Sequence, residues 1–106
     1  MAKVEIDPGV CGHLTTVIAT KADGYAVRLE IDSGCPHVRK IGETITEVDA
    51  LKQIGLRGGL PPLLQTSYEC CAHAACPVPA GLVKAVEVEA GLALPRDVTM
   101  QISKEG

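Results

Sequence analysis

Apolar and polar residues alternate along both ends of this chain and follow a helical period between them. Lys3-Val4-Glu5-Ile6-Asp7 puts Val4 and Ile6 on one side, the pattern of a short half-buried strand that Pro8-Gly9 then breaks. Residues 13–21, rich in Thr, Val and Ile, form a second predicted strand. Residues 25–32 form a third, with Tyr25, Val27, Leu29 and Ile31 facing one way and Ala26, Arg28, Glu30 and Asp32 the other. Asp23-Gly24 between these strands predicts a two-residue hairpin, because both positions of such a turn favour positive φ.

The period changes after residue 35. Pro36 through Ile41 predicts a short helix with proline in its first turn. Thr44-x-x-Glu47 has the form of a capping box and opens a predicted helix over 45–54, with Ile45, Val48, Leu51 and Ile54 at three-residue spacing and Gly55 as its stop. Residues 55–62 are a Gly/Pro-rich loop. A further helix is predicted over 79–90, with Leu82, Val83, Val86 and Ala90 inward and Gly91 beyond its end. After Pro95-Arg96, Val98, Met100 and Ile102 alternate with Asp97, Thr99, Gln101 and Ser103, the pattern of a last strand. The expected order is β-β-β-α-α-α-β. Strands with one polar face suit a mainly antiparallel sheet covered on its other face by helices, a two-layer α+β domain.

Length and composition sharpen this picture. At 106 residues the chain is expected to form a single domain, 1–106. Its 28 Val, Ile and Leu and 12 Ala residues supply an aliphatic core, but there is no Phe or Trp to anchor it. A net charge of −3, with ten scattered Lys and Arg and no stacking rings, argues against a nucleic-acid partner. No apolar run approaches the ~20 residues of a membrane span, so no membrane partner is expected. The N-terminal residues lack the apolar run of a signal peptide, and the odd count of five Cys is unlike a secreted disulfide scaffold. These features predict a cytoplasmic protein.

The candidate chemistry is concentrated. All eight Cys and His residues fall in three windows: Cys11-Gly12-His13, Cys35-Pro36-His37, and Cys70-Cys71-Ala72-His73-Ala74-Ala75-Cys76. A two-residue hairpin at Asp23-Gly24 would set Cys11 opposite Pro36 and Cys35 opposite Gly12, making neighbours of two Cys-x-His units. The third window would then close over them. Thiolates and imidazoles suit zinc, iron or an iron–sulfur cluster. The candidate ligands are Cys11, Cys35, Cys71 and Cys76, with His13, His37, His73 and Cys70 as alternative ligands or as groups supporting them. Adjacent cysteines seldom both ligate one ion, so one of Cys70 and Cys71 is expected to be spare.

Gly9-Val10-Cys11, a hairpin, Gly34-Cys35, a helical segment, then Cys71 and Cys76-Pro77 before a helix resembles the TSCPD-domain family over residues 9–90. In that family's terms, Ser33-Gly34-Cys35 stands for Gly-Gly-Cys, and Ala74-Ala75-Cys76-Pro77-Val78 for Thr-Ser-Cys-Pro-Asp. Members occur as small four-cysteine proteins and as a C-terminal domain of some ribonucleotide reductases. The resemblance implies a cysteine-based, metal-binding module without implying a reaction.

Three functions fit the sequence. The first is a small cytoplasmic module holding zinc or an iron–sulfur cluster, structural or accessory to a larger partner enzyme. The second is an enzyme using a cysteine thiolate or an open metal position for thiol-redox or hydrolytic chemistry, since eight candidate ligands exceed the four of a closed site. The third is a partner-binding or homo-oligomeric domain without chemistry, to which a core lacking aromatic rings gives some reason.

Overall fold

A computed structural model describes residues 1–106. The chain folds as an α+β domain in the order β-β-β-α-β-α-α. Strands β1 (Ala2–Ile6), β2 (Thr15–Lys21), β3 (Ala26–Ser33) and β4 (Glu47–Asp49) form one antiparallel sheet in sequence order. Helices α1 (Pro36–Thr44), α2 (Pro62–Cys70) and α3 (Val78–Glu89) form the second layer, and a single 3-10 turn spans Ala50–Lys52.

The sheet register explains why the helices lie on one face. Pairing aligns Ala2, Ala19 and Leu29 across three strands, and Val4, Val17 and Ile31 beside them. With Val27, these residues form an apolar face that α1 and α3 cover, while Lys3, Glu5, Arg28 and Glu30 line the open face. Ile41, Leu63, Leu82, Val17 and Val86 are among the fully buried side chains that fill the core. Burial of each contributes about 1.5–3 kcal/mol. Two glycines let the layers approach. A β-carbon at Gly42 of α1 would stand 3.1 Å from Ile31 Cβ, and one at Gly81 of α3 would collide with Ile6.

Three local expectations are corrected. The helix expected over 45–54 is absent: Ile45 and Thr46 lead into β4 and the 3-10 turn. Thr44 caps nothing, because it lies in the last turn of α1 and its hydroxyl donates to the Lys40 carbonyl at 2.8 Å. The β-branched Ile45 and Val48 instead take extended backbone, with the Leu29 amide donating to Thr46 O and Val48 pairing with Val27. The strand expected over 98–102 is also absent: residues 92–106 form no strand, and Val98, Met100 and Ile102 are exposed. Finally, the expected hairpin register is off by one residue. The turn closes with Ala22 N–H donating to Ala26 O and Ala26 N–H to Asp23 O, so that Lys21 faces Val27 and Thr15 faces Ser33.

Helix α2 is an addition to the elements read from sequence. Pro61-Pro62 starts it, with proline in the first turn, but only Leu63 and Ser67 are buried along it, too sparse an apolar stripe to mark a helix. Its position depends on Gln53, which is 4% exposed. The Gln53 side-chain carbonyl accepts from Leu63 N–H at 2.8 Å, and its amide donates to Asp49 O at 3.1 Å. Gln53→Met keeps the volume but strands the buried Leu63 amide. Urea unfolding of this variant is expected to show a loss of about 1–3 kcal/mol with an unchanged denaturant slope.

Candidate functional site

Three helix ends and the β1–β2 connection meet at one end of the domain. Cys35 precedes α1, Cys70 ends α2 with Cys71 just beyond it, and Cys76 lies two residues before α3. Cys11 and His13 lie in the β1–β2 connection, which Gly9 and Gly12, both at positive φ, turn sharply. Helix α2 packs against α1 and α3, and the meeting of the three helix ends brings Cys35 to the Cys70–Cys76 window although the two are far apart in sequence.

Cys35 is held from below. The Thr15 and Ser33 hydroxyls form a buried hydrogen bond of 2.8 Å across β2 and β3, and Ser33 Oγ accepts from the Cys35 amide at 3.1 Å. The Cys35 carbonyl in turn accepts from Arg39 N–H at 2.9 Å, which starts α1. Beyond the last strand pair, Gly34 N–H donates to Leu14 O at 3.3 Å. The shifted register brings His13 against Gly34, where a β-carbon would stand 3.3 Å from His13 Nδ1. His13 thus lies beside the Cys35 loop, in place of the Gly12 that a two-residue turn would have put opposite Cys35.

The electrostatics centre on Cys71. Burial pushes its thiol from 9.0 up to about 12, and the neighbouring Cys76 acts in the same direction. Cys35 and Cys70 add further like-charge opposition. These four sulfurs are therefore one electrostatic group, and all four residues pack half-buried against the core. Its fixed dipoles differ in sign: α1 and α3 present their positive N-terminal ends near Cys35 and Cys76, whereas α2 ends its negative pole at Cys70 and Cys71.

The structure divides the residues singled out from sequence. It gathers Cys35, Cys71 and Cys76, and brings Cys70 into the same group. Cys11 is exposed on its turn, and His13, His37 and His73 are exposed around the same end. No three Cys, His, Asp or Glu side chains form a ready-made cation site. All five cysteines are free thiols. Two surface depressions of about 430 Å³ lie elsewhere. One is between the β2–β3 turn and β4, lined by Tyr25, Glu47 and Leu51, and the other is on the open sheet face at Thr16, Ile18 and Glu30. Neither contains a thiol or imidazole.

A small α+β domain with a thiol group at one end is the class this geometry defines. The chain belongs to the DUF6951 family, a family of unknown function, whose model matches residues 2–102. No curated protein and no solved structure matches it. No helix is long and apolar enough to cross a membrane.

The crowding at Cys71 has a measurable consequence. Raising a thiol from 9.0 to about 12 lowers its thiolate fraction near neutral pH by about a thousandfold. In reduced, metal-free protein, iodoacetamide followed by peptide mass analysis is expected to label Cys71 last and Cys11 early. The same shift links to stability. The folded state holds this proton more tightly than the unfolded chain, so the contribution is full below pH 9.0 and is lost as pH rises through about 12. Alkaline unfolding curves of Cys71→Ala are expected to be flatter across that window than those of the parent.

Proposed function

We propose that this protein is a small metal-binding module in which Cys35, Cys71 and Cys76 supply thiolates to zinc or an iron–sulfur cluster. The observation that carries this is the convergence of sulfurs from three helix ends around Cys71, whose proton is held by burial and by its sulfur neighbours. Such a group resists a negative charge on its own. A bound cation reverses that preference, because a coordinated thiol gives up its proton and the like-charge opposition becomes attraction to the metal. Zinc and iron are the fitting ions by ligand softness.

Binding completes the site by drawing in the connections that flank it. Residues 71–77 and 8–14 lie outside regular secondary structure, and they carry Cys71, Cys76, Cys11, His13 and His73. Cys11 or His13 supplies the fourth ligand on closure, with His37 and Cys70 as supporting groups. Coupling of metal binding to local ordering is the usual behaviour of small thiolate sites. The order of cysteines, which resembles that of the TSCPD domain, supports the same role. We place the module in a reducing cytoplasm, in keeping with its five free thiols. It acts as a structural or accessory unit, self-associated or beside a larger enzyme.

A second role, thiol-redox chemistry, is supported by the nearness of the Cys76 thiol to that of Cys71. Oxidised glutathione would take two electrons and two protons from this pair, leaving a Cys71–Cys76 disulfide and two reduced glutathione molecules. Anaerobic purification, elemental analysis and a visible spectrum separate the two roles. A metal module is expected to carry at least about one zinc or iron per chain, with cluster absorption only for iron–sulfur. Cys71→Ala is expected to lower metal content at least about tenfold. Metal below about a tenth of an equivalent, with all thiols freely titratable, would overturn the metal role. A Cys71–Cys76 disulfide forming reversibly in that protein would favour the redox one.

A further inference from the structure

The C-terminal residues form the most pronounced local mismatch between sequence pattern and tertiary environment. Val98, Met100 and Ile102 alternate with polar residues as a half-buried strand does, yet they are 60%, 73% and 90% exposed. Residues 93–106 lie in no strand or helix, and the molecule measures 51 Å along its longest axis against 28 and 27 Å across. The family match runs to residue 102, so the whole alternation belongs to the region that defines the family.

The departure of this segment from its own domain is built in. At the end of α3, Gly91 adopts φ +78, Leu92 N–H donates to Glu87 O, and Gly91 N–H donates to Val88 O, a Schellman closure that turns the chain off the helix axis. Glu89 fixes where this happens. Its carboxylate accepts from Lys21 N–H at 2.7 Å and pairs with the N-terminal amine at 3.1 Å. The Lys21 bond is the main cause holding its pKa below the usual carboxylate value, with the amine adding to it. The tail therefore leaves the domain at the beginning of β1.

β1 is an edge strand. Its inner side pairs with β2, and its outer amides and carbonyls have no strand beside them. On the face covered by α3, Val4 and Ile6 are only half-buried, because nothing continues the sheet past them. The other edge, β4, is three residues long, whereas β1 has five, the same length as Val98–Ile102.

We infer that residues 97–103 of one copy add as a strand to the β1 edge of a second copy, and that the exchange is reciprocal. Val98, Met100 and Ile102 would extend the apolar face formed by Ala2, Val4 and Ile6. Asp97, Thr99, Gln101 and Ser103 would join Lys3 and Glu5 on the open face. A reciprocal exchange about a two-fold axis satisfies two tails and two edges at once and closes the assembly as a dimer. A second copy is the occupant because it brings both missing halves, a free strand and a free edge, and because the tail is exposed and forms no strand on its own sheet. This inference deepens the proposal of self-association and is independent of the metal.

Sedimentation equilibrium and amide exchange on the full chain test it, with far-UV circular dichroism to establish folding. The native protein is expected to sediment at twice the 11.1 kDa of one chain, with slowed exchange over 98–102. Because these side chains lie outside the core, Val98→Asp/Met100→Asp is expected to fold, halve the mass and lose that protection. Gln101→Glu, on the polar face, is expected to leave the dimer intact. A native monomer with an unprotected tail overturns the inference and self-association together. A monomer with a protected tail shows the strand returning to its own domain and overturns the exchange. A dimer indifferent to Val98→Asp/Met100→Asp overturns the strand exchange alone and leaves self-association standing.

Discussion

One-sided burial of a four-stranded sheet by helices with no aromatic anchor is the constraint on which this structure depends. Small and branched aliphatic side chains fill a core only when the layers approach closely, and they do so where glycine is present. Gly42 lies against Ile31 and Gly81 against Ile6, at separations that a larger residue would force apart. The sheet contributes Val17, Ala19, Val27 and Leu29, and the helices return Val38, Ile41, Leu63, Leu82 and Val86. Polar groups caught inside are paired: Thr15 with Ser33, Ser67 with the Leu63 carbonyl, and Gln53 with the start of α2.

The thiol group is a by-product of that packing. Helices α1 and α3 lie on the sheet and α2 packs against both, which puts two N-termini and one C-terminus at the same end. The sequence places a cysteine at or beside each of them. Cys35 is held through Ser33 Oγ and the first turn of α1, while the connections that carry Cys11, His13, His73 and Cys76 are not part of any strand or helix.

The strands and their faces were legible because a half-buried strand alternates with period two, and β1 to β3 do so with little interruption. Helix α3 was legible for the same reason at period 3.6. Residues 44–54 misled because Thr44-x-x-Glu47 satisfies the capping pattern while the hydroxyl bonds backward to Lys40, and backbone demand at the sheet edge outweighed the three-residue apolar spacing. Helix α2 carries too few buried apolar residues to announce itself, so Cys70 and Cys71 could not be placed on its end. The tail misled in a different way: its pattern is that of a strand, but a strand needs a paired edge, and Val98, Met100 and Ile102 lie exposed in no strand.

The sequence alone determined the class of fold, the apolar face of the sheet and the confinement of every thiol and imidazole to three windows, because these follow from local periodicity and residue chemistry. Tertiary structure decided the register of the hairpin, which put His13 beside Gly34 and left Cys11 exposed on its turn. It also decided that Cys70 joins Cys35, Cys71 and Cys76. Those outcomes depend on a turn lengthened by one residue and on the directions in which helices cross a sheet. Both are fixed by packing between segments far apart in the chain, where no local pattern carries the information.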